Sequence, residues 1–510
     1  MAVDSPTDRR AFLTWLARCG AGLTVAGGTL TTGLDAAAEP GGAEITILTG
    51  ATVIDGTGRP GRPATVVLVG DRIVAVGHTP ARGFPPGARV LRLPGKYLIP
   101  GLWDMHVHSV PLDRVYPPLY VVNGVTGVRE MYGYFHPALH DLRERIDRGE
   151  VLGPRMVIAS TIIDGPHSIH APTGAAQVAT PDEARAAVRA AAARGADFVK
   201  AYSFLGAETF AAVAAEARRQ RLPVVGHVPE RVSAGEASDQ GLRSIEHLFG
   251  MFLATSADED RIRVEITREP VDPERPIEWF LRARRLEGTA VAGYDPAKAD
   301  ALFARLRRNG TWQSPTLTVL RSLSLPVAAF DPDDERLAYL PPTIVDYWWR
   351  QLESTAPGTP EQIAERRAFF AAQRRLVGTL DRAGVGLLAG TDANNPFCFP
   401  GFGLHDELDL LVEAGLSPAR ALRAATLDAA RFLGLAHTTG TITPGASADL
   451  VVLDADPLAD IRNTRRVHAV VLRGRYLSPE ERRRVLADIR EAAREPLGPP
   501  PAVAGCGCWG

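Results

Sequence analysis

Two histidines one residue apart, His106-Val107-His108, follow the β-prone run Tyr97-Leu98-Ile99. Residues two apart on a strand point to the same face, so both imidazoles can converge on one ion. Two satisfied polar groups at a strand end give the same pattern, so context must decide. Lys200 closes a second apolar run, Asp197-Phe198-Val199-Lys200. Strand alternation puts Phe198, Lys200 and Tyr202 on one face. A bare ammonium facing a protein interior is costly unless paired. A salt bridge would resolve this. So would reaction of the neutral amine with carbon dioxide, giving a carbamate whose two oxygens can bridge two cations. Arginine stays protonated and cannot react this way. The chain has only three lysines, Lys96, Lys200 and Lys298, against many arginines, so each lysine is a candidate for chemistry that needs an amine. His227, His247 and Asp392 close three further runs, Val224-Val225-Gly226-His227, Ser244-Ile245-Glu246-His247 and Leu387-Leu388-Ala389-Gly390-Thr391-Asp392.

Something must bring six such residues together. Eight segments read as strands: 98–108, 124–131, 155–163, 197–203, 223–228, 244–248, 312–320 and 385–393. Ala- and Arg-rich helical patterns such as 181–194 and 207–219 lie between most of them. Eight β/α units match an α/β fold, a (β/α)8 TIM barrel over 98–436. The six residues close strands one, four, five, six and eight at one end, the end that carries the active site in such barrels. The extra length, 249–308 and 321–366, reads as helical excursions holding Trp279, Trp348 and Trp349. The β-rich flanks, 39–97 and 437–480, read as one small β-sandwich-like domain built from both ends. A helix and a mobile tail are expected over 481–510.

Composition narrows the function. Basic residues number 57 and acidic ones 59, a formal net charge of −2, which offers no footprint for nucleic acid. Four cysteines are too few for a disulfide scaffold. Cys506 and Cys508 fall in the Pro/Gly-rich tail, where metal binding or a disulfide is the alternative to a free end. Near the start, Asp8-Arg9-Arg10-Ala11-Phe12-Leu13 precedes an apolar stretch and Ala36-Ala37-Ala38. This resembles a twin-arginine export signal over 1–38, so a periplasmic or extracellular location is expected. No other stretch is long enough to span a membrane.

The chain resembles the amidohydrolase superfamily, in its exported imidazolonepropionase-like and prolidase-like branch. The resemblance rests on Pro100-Gly101-Leu102-Trp103-Asp104-Met105-His106-Val107-His108, Gly195-Ala196-Asp197-Phe198-Val199-Lys200, Gly226-His227, Glu246-His247, Gly390-Thr391-Asp392 and the segment Gly440 to Leu450. It implies two divalent ions, one on His106, His108 and Asp392 and one on His227 and His247, bridged by a carbamate on Lys200. Zn2+ suits imidazole and carboxylate ligands, with Mn2+ and Co2+ open. Ions so held would acidify a bridging water and polarise a carbonyl. Asp392 would take the water proton and return it to the leaving nitrogen. The expected reaction is hydrolysis of a C–N bond in a small molecule, a dipeptide or an N-acyl amino acid. A deaminase or cyclic-amide hydrolase is one alternative, and a lactonase or phosphotriesterase another. A metal-free scaffold on the same fold is a third, and it predicts broken ligands. His136, His167, His170 and Tyr202 are candidates to hold a substrate carboxylate or carbonyl. A homo-oligomer is compatible with the sequence.

Overall fold

The structure, a computed structural model, describes residues 23–25, 44–78, 84–85, 87–133, 136–171 and 173–495. Arg9, Arg10 and the export-signal reading, with Cys19, Cys506 and Cys508, lie outside them, apart from the short strand Leu23–Val25. The chain forms two compact units. One takes the described residues up to Trp103 together with Val121–Thr126 and Ser417–Leu486. The other takes Asp104–Tyr120, Gly127–Leu416 and the described residues from Ala487.

The strands, in chain order, begin with β1 (Leu23–Val25), β2 (Ile45–Val53), β3 (Arg62–Val69), β4 (Arg72–Gly77), β5 (Arg89–Arg92) and β6 (Tyr97–Pro100). Next come β7 (Leu102–Val107), β8 (Val125–Glu130), β9 (Arg155–Ile158), β10 (Ile162–Asp164) and β11 (Ala175–Gln177). They continue with β12 (Val199–Ala201), β13 (Val224–Gly226), β14 (Leu242–Glu246) and β15 (Trp312–Ser314). The last are β16 (Leu450–Leu453), β17 (Val467–Leu472) and β18 (Arg475–Leu477).

In the first unit, strands from both ends of the chain join one nine-stranded sheet, β1-β4-β3-β2-β6-β16-β17-β18, with β5 paired to β2. Alternation sorts its side chains. Leu48, Val66, Leu68, Leu98, Leu450, Val452 and Val471 form one core. Ile47, Val67 and Ala75, the neighbours between them, form another on the opposite face. The sheet path holds because β6 pairs β16 antiparallel, Tyr97 opposite Leu453 and Pro100 opposite Leu450.

In the second unit parallel strands alternate with helices. One sheet runs β7-β8-β9 and another β11-β10-β12-β13-β14-β15. A bridge between Ala159 and Phe198 links the two. Residues 385–393 make no continuous strand. They touch both neighbours through single parallel bridges, Leu387 to Gln313 and Ala393 to Val107, and so close the ring. A backbone bond from Met105 N to Ala389 O, 2.9 Å, supports that seam. Gly390 allows the close approach: a Cβ there would stand 2.7 Å from Ser314 Oγ and 2.8 Å from His106 Cβ. Eight staves result, as the sequence pattern predicts.

Two strands are shorter than expected for physical reasons. The first predicted strand divides at Gly101, since Tyr97–Pro100 pairs with β16 while Leu102–Val107 belongs to the barrel sheet. The seventh stops at Ser314, and Leu317–Leu323 is a helix instead. Pro315 cannot donate to a ladder. The buried Glu407 carboxylate accepts from Leu317 N (3.0 Å) and Thr318 N (2.7 Å), satisfying first-turn amides of that helix.

The outer helices follow their sequence signals. Pro181–Ala193 starts with a capping box between Thr180 and Glu183 and buries Ala184, Val188 and Ala191. Ala207–Gln220 buries Phe210, Val213, Ala214 and Ala217. The inserted stretches are helical, with Pro276–Thr289, Pro296–Asn309 and Pro342–Thr355 among their elements. No helix of the described residues is long and apolar enough to cross a membrane.

Candidate metal centre

All six sequence-predicted ligands lie at the C-terminal ends of parallel staves. His106 is in β7 and His108 directly follows it, Lys200 is in β12, His227 and His247 directly follow β13 and β14, and Asp392 lies on the eighth stave. His106, Lys200, His227, His247 and Asp392 are each 0% exposed and His108 is 8% exposed. Ligand atoms of His106, His108 and Asp392 fall within 4.8 Å of one another. His108 Nε2 is 2.8 Å and His106 Nε2 3.3 Å from Asp392 Oδ1. The rings continue inward: His106 to His247 is 4.7 Å between centroids, and His247 to His227 is 5.1 Å.

The backbone is bent to achieve this. His247 and Asp392 both sit at φ 59°, in the left-handed region that non-glycine residues rarely adopt. Such positions cost about 1–3 kcal/mol each and persist where surrounding structure holds them.

Hydrogen bonds aim the rings. His106 Nδ1 is 2.8 Å from Glu246 Oε2. Arg129 holds that carboxylate with Nη2 at 2.9 Å from each oxygen, and its Nε donates to Met105 O at 2.6 Å. His227 Nδ1 meets Ser203 Oγ at 2.9 Å and His247 Nδ1 meets Thr316 Oγ1 at 2.7 Å. Each of these three imidazoles is thus engaged through Nδ1, which leaves Nε2 to serve as a ligand. Asp104 accepts from Thr391 Oγ1 (2.7 Å), Thr391 N (3.0 Å) and His106 N (3.2 Å), tying the first and last staves together beneath the cluster.

Electrostatics fit cation binding. Burial, with the neighbouring Lys200 and imidazoles, holds His106 well below the usual histidine range, and burial with His247 and Lys200 does the same for His227. Both rings are therefore neutral and carry ligand lone pairs. Burial alone would raise Asp392, but His106, His247 and the His108 hydrogen bond outweigh it and keep the carboxylate ionised. His227 Nε2 and Lys200 Nζ are buried without a hydrogen-bond partner. Unspent donor atoms of this kind, surrounded by imidazoles and one carboxylate, match the donor set of a divalent-metal site.

The expected substrate residues divide. Tyr202 stacks on His227, 3.9 Å between centroids, and His170 packs edge-on against Tyr202 at 4.9 Å. His170 is buried, both its ring nitrogens lack a hydrogen-bond partner, and burial with Lys200 and His108 nearby pushes it down to about 3. These two adjoin the cluster. His167 does not: it is exposed and lines a separate cavity. His136 opens the helix His136–Asp147.

Several contributors were not singled out from sequence. Arg129, Ser203 and Thr316 orient ligands, as described, and Glu246 entered only as the neighbour of His247. Glu130 is the fourth carboxylate of the region. It accepts from Tyr132 N (3.1 Å), Gly133 N (3.1 Å) and Ser109 N (3.3 Å), and burial raises its carboxyl. Its place at the end of β8, level with His108 at the end of β7, is a signal the sequence does contain.

Comparison with known proteins decides the family. The sequence pattern of the amidohydrolase family matches residues 120–477. The chain belongs to this family. It is 39% identical over 93 residues to the imidazolonepropionase of Geobacillus kaustophilus, a match spanning 17% of this chain and 21% of that protein. It is 23% identical over 485 residues to the ochratoxinase of Aspergillus niger, covering 82% of this chain and 83% of the relative. Among solved structures, the bottromycin amidohydrolase superposes with a TM-score of 0.67 at 25% identity, over 94% of this chain and 96% of the other. A Xaa-Pro dipeptidase with bound methionine gives 0.59 at 21%, over 85% and 100%, a likeness of fold.

Proposed function

We propose that this amidohydrolase is a binuclear metal enzyme that cleaves the amide bond of a dipeptide or N-acyl amino acid. One observation carries the reading: four buried histidines, a lysine and an ionised aspartate gather at the C-terminal end of one barrel, with Nε2 of His106, His227 and His247 left as ligand atoms. His106, His108 and Asp392 would hold one ion and His227 and His247 the other, with a carbamate on Lys200 between them. Zn2+ suits these donors. Ions of this kind supply an acidified water and polarise a carbonyl when bound.

The chain's own groups supply the rest. Asp392, held ionised by its imidazole neighbours, accepts a proton from water and returns it to the leaving nitrogen. Glu246 and Arg129 fix the plane of His106, so the ligand set needs little rearrangement during turnover. Tyr202 and His170 stand beside the cluster and can orient a substrate carbonyl or carboxylate. Phe249, 4.7 Å from the His227 ring and 5.1 Å from the His247 ring, keeps one side apolar. The names of the relatives, an amidohydrolase and a dipeptidase among them, favour an amide as substrate.

The test is a screen of the zinc-loaded protein against dipeptides, N-acyl amino acids, cyclic amides, lactones and phosphotriesters. Turnover of linear amides alone supports the proposal. Turnover confined to cyclic amides, lactones or phosphotriesters overturns it. The reading extends to location and organisation. Arg9-Arg10 and the apolar run behind them support export through the twin-arginine route, and the β-rich ends 39–97 and 437–480 are assigned to one composite domain.

A further inference from the structure

The helix Pro276–Thr289 belongs to the stretch inserted between the sixth and seventh staves. Barrel closure does not need it, because β14 pairs β15 directly, with Ser244 opposite Trp312 and Glu246 opposite Ser314. Yet this helix sends Phe280 and Arg284, one turn apart on one face, toward the metal cluster. The Arg284 guanidinium lies 4.2 Å from the centroid of the Phe249 ring and 5.5 Å from that of Phe280. Phe249 in turn packs against both histidines assigned to the second ion, 4.7 Å from the His227 ring and 5.1 Å from the His247 ring.

Arg284 also reaches the neighbouring turn. Its Nη2 donates to Glu230, three residues past His227, and its Nη1 donates to Glu287 Oε2 at 2.5 Å. The Glu230 amide donates to Ser203 O at 3.0 Å, and Ser203 Oγ is the partner of His227 Nδ1. Arg263, on the inserted helix Glu259–Arg268, donates from Nη1 to Glu230 O (3.2 Å) and Val232 O (3.0 Å). One guanidinium therefore spans two turns, the one after β13 through Glu230 and the one after β14 through Phe249. Its flat face suits the ring while its edge serves the carboxylates, a combination that a lysine ammonium does not offer.

Burial of these charges does not explain the arrangement. The Glu230 and Glu287 side chains are 2% and 3% exposed. Desolvation of such ions offsets most of their attraction, so buried pairs add little net stability. What they do fix is geometry. The first site has a charged brace of its own, since Glu246 and Arg129 hold His106. At the second site the Nδ1 partners of His227 and His247 are the hydroxyls of Ser203 and Thr316. The charged support there comes from Arg284.

We infer that Arg284 is a positioning residue for the second ion: acting through Phe249 and Glu230, it holds the His227 and His247 rings in one relative arrangement and so sets how tightly that ion is retained. The inference rests on the binuclear reading and gives the inserted helix a part in it.

The test titrates the metal-free protein with zinc against a chromogenic chelator, which resolves the two binding steps, and with Co2+, whose visible absorption reports ligand geometry. His108→Asn in the parent marks the step that belongs to the first ion. Arg284→Met is made together with Glu230→Gln and Glu287→Gln, so that no buried carboxylate is left unpaired. In this variant the second step weakens about tenfold or more, the scale of a lost partner behind a ligand, while the first stays within about twofold. The Co2+ spectrum changes in the second step alone. Arg284→Lys keeps the charge, and with it the urea midpoint, and shows the same selective loss in smaller measure. Phe249→Leu alone reproduces the loss, and combining it with the triple variant adds less than about threefold, because both act along one path. Unchanged second-step affinity in the triple variant overturns the inference, as does equal weakening of both steps or full additivity with Phe249→Leu. A parent that takes up one ion only overturns the binuclear reading and the inference together. A parent with two ions whose steps are unaltered in the variants overturns the inference alone.

Discussion

Replacing Glu246 by glutamine tests what holds the first ligand in place. The Glu246 carboxylate is 0% exposed and serves three partners, His106 Nδ1 at 2.8 Å, Arg129 Nη2 at 2.9 Å from each oxygen, and the Ser244 hydroxyl. Glutamine keeps the shape but removes the charge. Arg129 then stays buried, with the neutral acceptors Met105 O at 2.6 Å and Ser244 Oγ at 3.0 Å among its partners besides the new amide. Breaking a buried pair on one side costs about 3–5 kcal/mol. The remaining neutral acceptors place Glu246→Gln near the lower bound, about 3 kcal/mol. Against a domain stability of about 5–15 kcal/mol this is a large loss. The metal should weaken as well, by about 10- to 100-fold, because His106 loses the carboxylate that fixes its ring. Urea-dependent hydrogen exchange of β7 and β14 amides reads the barrel directly, and competition with a chromogenic chelator reads zinc affinity. Adding Arg129→Met to Glu246→Gln removes the stranded charge and should recover at least about 2 kcal/mol of the loss. A Glu246→Gln barrel within about 0.5 kcal/mol of the parent, with unchanged zinc affinity, would refute the argument.

Three further outcomes can be checked. Lys200→Ala should lose about one metal ion per chain and most activity by elemental analysis and amide turnover; full metal content would remove Lys200 from the bridging position. Burial pushes the Glu407 carboxyl up to about 7, while the unfolded chain titrates near 4.5. Between these values the native state keeps a proton that the unfolded state has lost, so this group's contribution is full below about 4.5 and falls as pH rises through 7. It amounts to about 3 kcal/mol across that window. Glu407→Gln should therefore flatten the stability profile from pH 5 to 8 in urea titrations, and an unaltered slope counts against it. Changing Arg9 and Arg10 together to lysine should leave the protein in the cytoplasm on fractionation; unchanged periplasmic yield argues against the twin-arginine route.

The ligands were legible in the sequence because each closes an apolar run, and strand ends are visible as the point where such a run meets a histidine, lysine or aspartate. The barrel followed from the spacing of those runs. What stayed hidden depends on contacts between distant segments. Arg129 reads as an ordinary arginine until the closed barrel brings its side chain to Glu246 of β14. The helix Leu317–Leu323 reads as strand because Thr318 and Val319 favour strands and continue the run from Trp312; its first turn is decided by Glu407, far along the chain. His167 and His170, three apart, look equivalent, yet one is exposed beside the outer cavity and the other is buried against Tyr202. Their difference is set by a single turn of backbone.

The eighth stave gives the centre a property its chemistry does not reveal. His106 and His108 come from the first stave and Asp392 from the last, and that seam is held by one isolated bridge and a few backbone bonds, Met105 N to Ala389 O and Asp392 N to His106 O among them, where a continuous ladder would ordinarily run. The densest part of the site therefore exists only in a closed ring. A chain emerging during synthesis would complete β7 through β15 and still lack Asp392 and the bonds from Thr391 to Asp104. Assembly of the centre is thus a readout of topological completion, and a partly made chain cannot display it. Joining ends this far apart in sequence adds little beyond a shorter loop, since closure entropy grows only with the logarithm of length.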